Sequence, residues 1–283
     1  LTDDVTIRAL DAAEVETAVE WAAREGWNPG LADARAFRAA DPEGFLGAFR
    51  GGEMLACISA VRTGAEFGFI GFYIARPEAR GQGIGWGVWQ AGMARLAGRC
   101  VGLDGVVAQQ ENYRKSGFAL AWNNARYQSE APRIPEADTR GLEDAGAVPF
   151  EALLAFDAAC FGLPRPEFLR AWIAAPGHRA RVARDAAGAV TGFCVLRPCR
   201  AGAKLGPLFA VDAATARALI ADAAPHRPPG PLILDLPEPH AEAVALAQAM
   251  GMEKGFETAR MYTRPPPPMR REWLFGLTSF ELG

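Results

Sequence analysis

The sequence predicts an α/β fold made of two tandem units. Three observations carry that expectation. Apolar, strand-like runs alternate with amphipathic helical stretches along the chain. Residues 131–149 are rich in Pro, Gly and charge and lack periodicity, so they read as a linker near mid-chain. A short echo then repeats across that linker: Gly117-Phe118 followed by Ala125-Arg126 matches Gly251-Met252 followed by Ala259-Arg260, 134 positions on. Strand-like Leu103-Asp104 and Leu234-Asp235 precede these stretches, each with a helical stretch between. A chain of 283 residues has room for two cores. The expected division is 1–130, a linker at 131–149, and 150–283.

The elements follow in order. Asp11 to Trp27 carries Val15, Val19 and Ala22-Ala23 at helical spacing, with acids early and Arg24 late, as a helix dipole favours. Trp27-Asn28-Pro29-Gly30 breaks it, and Ala34–Ala39 reads as a second, short helix. Phe45–Phe49 and Met54–Val61 flank the turn Arg50-Gly51-Gly52-Glu53 and predict a hairpin. Phe67–Ala75 is nearly all apolar, as expected of a strand covered on both faces. Trp86, Trp89, Met93 and Leu96 then mark a helix, Val101–Val107 a strand, Gln109–Ser116 a short helix ended by Gly117, and Phe118–Tyr127 a strand. Beyond the linker, helices are expected at Phe150–Phe161, Pro166–Ala174, Ala213–Ala223 and Pro239–Met250. Strands are expected at Ala180–Arg184, Ala189–Leu196, Leu205–Val211, Leu232–Leu236, Phe256–Tyr262 and Leu274–Leu282.

Composition excludes several classes. Half the residues are hydrophobic and 22% are charged, which is incompatible with wholesale disorder. A net charge of −3 disfavours a nucleic-acid partner. No apolar run has the roughly 18 residues of a membrane span, and Leu1-Thr2-Asp3-Asp4 does not begin a basic-then-apolar leader. The five cysteines are scattered, none in a CxxC pair, and the three histidines lie far apart, so neither a metal site nor a disulfide framework is expected. Free thiols fit a cytoplasmic location. Cys160, beside Phe161, reads as core rather than nucleophile.

The chemistry concentrates in Arg80-Gly81-Gln82-Gly83-Ile84-Gly85, between a buried strand and an amphipathic helix. Residues without Cβ let the backbone turn tightly and approach a ligand, so successive N–H groups can line a phosphate cradle at a helix N-terminus. The spacing fits neither GxxxxGK[ST] nor GxGxxG, since Trp86 stands where the third glycine would be.

Arg80–Gly85 resembles the Arg/Gln-x-x-Gly-x-Gly/Ala signature of the GCN5-related N-acetyltransferases (GNAT). Tyr113-Arg114-Lys115-Ser116-Gly117-Phe118 resembles the ending of that family's fourth helix. The whole chain resembles a bacterial tandem subgroup whose divergent second unit ends in Thr-Ser-Phe-Glu-Leu, here Thr278–Leu282. The resemblance implies two GNAT-like domains, each a central mixed β-sheet flanked by helices (α/β, or α+β). It implies that Arg80, Gly81, Gln82, Gly83, Ile84 and Gly85 hold the pyrophosphate of acetyl-CoA, while the backbone of Tyr73, Ile74 and Ala75 bonds its pantetheine. Tyr113 then corresponds to the acid that protonates the leaving thiolate, the alternative being a tyrosine merely packed on the sheet. Asn112 is a further candidate for a CoA contact, although it does not match the family's asparagine position, which is Val106 here.

In the second unit no glycine follows the comparable strand, and Asp212 reads as a helix cap that would repel a pyrophosphate. CoA binding is therefore expected in the first unit alone. Glu238 and His240 read as a solvated helix start, and Arg270-Arg271 as a solvated pair. For the acceptor, Trp27 and Asn28 offer an aromatic wall and an amide suited to a small polar molecule. Glu66 and Glu111 are candidate bases, with nothing to choose between them. The expected reaction is acetyl transfer to an amine of a small molecule or peptide. A non-catalytic CoA sensor and a transferase for another acyl group are the alternatives. The acceptor and the oligomeric state stay open.

Overall fold

Local sequence starts most elements where expected. The computed structural model describes residues 4–283; Leu1-Thr2-Asp3 of the N-terminal stretch lie outside the described residues. Strand β1 (Val5–Ala9) precedes helix α1 (Ala12–Arg24), whose Asp11 and Glu14 form a reciprocal capping box. Then come α2 (Asp33–Ala40), β2 (Phe45–Arg50), β3 (Glu53–Thr63), β4 (Phe67–Ala75), α3 (Ile84–Arg95), β5 (Cys100–Val106), α4 (Gln110–Lys115) and β6 (Ala119–Ser129). The second half holds β7 (Glu143–Asp144), α5 (Phe150–Phe161), α6 (Pro166–Ile173), β8 (Arg179–Arg184), β9 (Val190–Pro198) and β10 (Ala203–Ala210). It continues with α7 (Ala213–Ala223), β11 (Leu232–Pro237), α8 (Ala241–Ala249), β12 (Glu253–Tyr262) and β13 (Leu274–Gly276).

The fold is α/β in two tandem units, but the strands of both form one mixed sheet. Its order is β1-β2-β3-β4-β5-β12-β6-β11-β10-β9-β8-β7, with β13 beside β10. Each half sends its last long strand into the other. Strand β6 pairs with β11, β12 pairs with β5, and the two exchanged strands pair antiparallel at the centre. The internal echo becomes structural here. Arg126 lies opposite Asp235 and Arg260 opposite Asp104, and both pairs are bidentate and buried. Two related sequences thus place the same ion pair on both sides of the exchange.

Helices α1, α2, α5 and α6 share one face of the sheet, where Phe37 stacks on Trp172 with ring centroids 5.9 Å apart. Helix α3 covers the opposite face of the first half, and α7 and α8 that of the second. Among the described residues no helix is long and apolar enough to cross a membrane.

Several elements differ from expectation. Strand β7 lies within the stretch read as a linker, where pairing with β8 draws two residues into the sheet. Strand β1 was not expected: it is short, only half-buried and lies at the sheet edge, so its apolar signal is weak. Strand β12 begins at Glu253, because pairing with β6 extends it through polar residues. The run Leu274–Leu282 is a strand only to Gly276. Leu277 then donates its N–H to the Asp235 carbonyl, and the rest turns across the sheet, held by tertiary contacts.

Candidate active site

The site grows from a defect in the sheet. Strands β4 and β5 run parallel only from Phe67↔Cys100 to Ile70↔Leu103 and then part. Across β3, Ser59 faces Gly71 and Cys57 faces Ile74, so β4 carries one extra residue there. Phe72 absorbs that bulge at φ +46°, in the left-handed region, and is held by Trp27, Phe37 and Phe45 packed around its buried ring. From Gly71 to Ala75 the edge of β4 facing β5 therefore has no strand partner.

At the end of β4 the glycine turn opens onto α3. Gly81 and Gly83 have φ +75° and +77°, and a Cβ built on either would meet nothing within 4 Å. No side chain caps α3. The helix N-terminus thus presents uncapped N–H groups to open space, and these residues fit a pyrophosphate. Arg80 donates to the Ala75 carbonyl at 2.9 Å and to Glu25 at 2.8 Å, tying the turn to β4 and to the end of α1. Gln82 donates to the Glu78 carbonyl within the turn. The Gly85 position faces the Tyr73 hydroxyl.

A cleft of about 570 Å³ runs between the parted strands, lined by Tyr73, Ile74, Ala75, Arg80, Asn112 and Tyr113 among others, with the exposed Trp86 at its rim. Asn112 donates to Gln109. Tyr113 packs over Gly105, where any Cβ would overlap the phenol ring, and its centroid lies 5.7 Å from that of Trp89. Burial, with a smaller contribution from nearby Tyr73, holds the Tyr113 hydroxyl above the usual tyrosine range, so it stays protonated at neutral pH.

Behind Tyr113 the cleft leads to an inner cavity of about 150 Å³. Trp27 lines both chambers. Its carbonyl accepts from Arg126 at 3.0 Å and from Lys204 at 3.1 Å, so the exchanged strand and the second half fix the loop after α1. Asn28 is committed elsewhere: its amide makes two 2.9 Å bonds to the Ala201 backbone, and it lines neither chamber. Glu66 sits at the paired end of β4, its carbonyl bonded to Cys100 N, and Glu111 is exposed and paired with Arg114. Neither lines the cleft or the cavity. Residues the sequence reading did not single out do line the cavity: Arg126, Phe256, Thr258, Phe280 and Glu281. They come from exchanged strands and the C-terminal run. The echo at Ala125-Arg126 and the Thr-Ser-Phe-Glu-Leu ending were the signals that could have located them.

The second half keeps the bulge and loses the opening. Strand β10 carries an extra residue between Leu205 and Leu208 against β9, but β13 pairs with β10 beyond the point where β11 leaves it. Asp212 accepts from Thr215 N at 2.8 Å and caps α7. Its carboxyl is held below the usual range chiefly by that bond. Cys160 is buried, and burial raises its thiol strongly, as for a core cysteine. His240 caps α8, and Glu238 accepts from Tyr127 and Lys254.

Comparison with known proteins agrees with the fold. The acetyltransferase (GNAT) family matches residues 12–118, and an acetyltransferase (GNAT) domain matches residues 153–276. The Holothin acyltransferase of Pseudoalteromonas sp. (strain SANK 73390) is 30% identical over 98% of this chain and 94% of its own. The chain belongs to the GNAT superfamily, in its tandem form. It is an acyltransferase. A putative acetyltransferase from Pyrococcus horikoshii shares the fold over 100% of this chain and 97% of its own, with a TM-score of 0.84 at 19% identity. A tandem GNAT protein from the clavulanic acid biosynthesis pathway covers 92% of this chain and 99% of its own, with a TM-score of 0.59 at 15% identity.

Proposed function

We propose that this GNAT protein transfers the acetyl group of acetyl-CoA to an amine of a small molecule or peptide by direct attack on the thioester, with the CoA held by the first half alone. The carrying observation is the uncapped glycine turn at α3, continuous with the parted edge of β4 and ending at Tyr113. The N–H groups of Gln82 to Gly85 hold the pyrophosphate, with Arg80 at the rim. The backbone of Tyr73, Ile74 and Ala75 bonds the pantetheine as an added strand would. Asn112 borders the same cleft. When bound, acetyl-CoA supplies an activated acyl group. The free N–H groups of β4 polarise the carbonyl, and Tyr113 donates a proton to the departing sulfur. Trp27 forms a wall of the acceptor chamber, while Asn28 holds the loop that carries it. In the second half, Asp212 and β13 occupy the corresponding cradle and wedge, which supports one CoA per chain.

Calorimetry with acetyl-CoA tests binding and stoichiometry; one site per chain is expected. Mass spectrometry of amines incubated with labelled acetyl-CoA tests transfer, with holothin heading the panel because of the relative's name. Tight binding with no acetylated product from any amine sinks the transfer reading and favours a CoA sensor.

A further inference from the structure

Three carboxylates line the inner cavity: Glu25, Asp104 and Glu281. Two are committed. Glu25 accepts from Arg80. Asp104 is gripped on both oxygens by Arg260 and also accepts from Asn124. Glu281 differs. It is 4% exposed, yet its Oε2 is buried without a hydrogen-bond partner. Thr258, 1% exposed, lines the same cavity, and its Oγ1 is likewise without a partner. Buried polar atoms without partners are rare in native proteins, and two on one small cavity require a reason.

The backbone holds Glu281 firmly in place. Gly71, beside the β4 bulge, lies so close to the Glu281 carbonyl that no Cβ fits between them. Arg165, paired with Asp157 at 2.8 and 2.9 Å, donates to Thr278 Oγ1 at 2.8 Å and to the Gly283 carbonyl. Leu282 N bonds Ser279 Oγ at 3.1 Å. The C-terminal run of the second half is thus pinned against the acyl-transfer wedge of the first.

The charged surroundings leave the carboxylate available. Arg126 of β6, Arg197 of β9 and Lys204 of β10 are the cations whose fields reach it. Arg126 is held by Asp235 of β11, Arg197 by Asp33 of α2, and Lys204 by the Trp27 carbonyl with Asp235 nearby. Asp104 of β5, Glu25 at the end of α1 and Tyr113 of α4 line the same cavity.

The geometry points to Glu281 as the general base of the transfer, with the Thr258 hydroxyl as a second anchor for the acceptor nitrogen. This rests on the proposed acetyl transfer to an amine. An acceptor that enters as its ammonium gives one proton to the Glu281 carboxylate. Its freed lone pair forms the C–N bond to the acetyl carbon as the C–S bond breaks and sulfur leaves with the electron pair. Tyr113 protonates that sulfur and is restored by the second proton the nitrogen loses. Glu281 releases its proton to solvent as product departs. The lining residues Trp27, Phe256 and Phe280 suit an amine on an apolar or planar body.

The test compares wild type, Glu281→Gln and Glu281→Asp with two probes, 2-phenylethylamine and aniline. CoA thiol release is followed from pH 6 to 9. Calorimetry measures acetyl-CoA binding to each protein and 2-phenylethylamine binding to the CoA-loaded protein. Removing a general base costs roughly 10²-fold or more, so E281Q is expected to lose that much kcat/KM for 2-phenylethylamine at neutral pH while binding acetyl-CoA normally. Its residual rate should rise about tenfold per pH unit, tracking the free amine, where the wild-type profile is flatter. Aniline, already unprotonated, should lose much less. E281Q should also weaken the calorimetric binding of 2-phenylethylamine. E281D keeps the charge and should give an intermediate rate with the wild-type pH profile; it carries the test if E281Q does not fold. Equal losses for both amines with an unchanged pH profile make Glu281 structural and overturn the inference. Wild type that binds acetyl-CoA but acetylates neither probe overturns it too, because the cavity then does not present its carboxylate to amines. Wild type that binds no acetyl-CoA instead sinks the proposed function itself.

Discussion

Replacing Gly83 by Asp separates the fold from the ligand cradle. Gly83 has φ +77°, and an added Cβ meets nothing within 4 Å, so the folded cost is conformational rather than steric. An L-residue in the left-handed region costs about 1–2 kcal/mol. Aspartate tolerates that region better than most, and a carboxylate at a helix N-terminus returns about 0.3–1 kcal/mol. The net change should be about 1 kcal/mol or less, a few degrees in Tm at most for a chain this long. The ligand meets a different energy. With the new carboxylate roughly 5 Å from a phosphate charge and an effective dielectric of about 20, repulsion is about 3 kcal/mol. That is on the order of 10²-fold in affinity. Calorimetry with acetyl-CoA reads it directly, and Gly83→Asn carries the same strain without the charge. Native-like melting with a large loss for Asp and a small one for Asn is the expected result. Equal, tight binding by wild type and the Asp variant refutes the pyrophosphate cradle at α3.

Other predictions follow from the same geometry. Tyr113→Phe should lower kcat by roughly 10²-fold with acetyl-CoA affinity unchanged. Because burial raises this hydroxyl, its protonated form persists at neutral pH, and a wild-type alkaline limb due to Tyr113 should lie above the ordinary tyrosine range; a limb near neutrality would contradict the assignment. Asp104→Ala strands the buried Arg260 and should cost about 3–5 kcal/mol in urea unfolding, with Asp235→Ala doing the same to Arg126. Near-neutral effects at both positions would show that the exchanged strands do not depend on these pairs. Asp212→Ala should cost about 1 kcal/mol through the lost cap and leave acetyl-CoA stoichiometry at one, since β13 still fills the wedge. A second site appearing in calorimetry would refute that account.

Much of the molecule was legible because its signals are local. Apolar residues at helical spacing located α1, a nearly continuous apolar run located β4, and alternating glycines marked the turn at α3 by a backbone requirement that neighbouring residues cannot mask. Asp212 announced a capped helix for the same reason. The ends were less legible where pairing rather than composition decides them. Strand β12 runs through Glu253 and Lys254 because β6 is beside it, and the C-terminal strand stops at Gly276 because the next residues cross the sheet.

Two tandem units, the glycine turn of the first and the tyrosine beyond it were therefore determined by sequence alone, and so was an echo pointing to a shared origin. Only the tertiary structure decided that β6 and β12 trade places, that Arg126 and Arg260 find their aspartates across the exchange, and that β13 closes one wedge while Glu281 reaches the other. The pairings of the exchanged strands are set by contacts between residues more than a hundred positions apart. Such contacts leave no period in the sequence, because each partner's local environment reads as an ordinary strand or tail until the other is placed beside it.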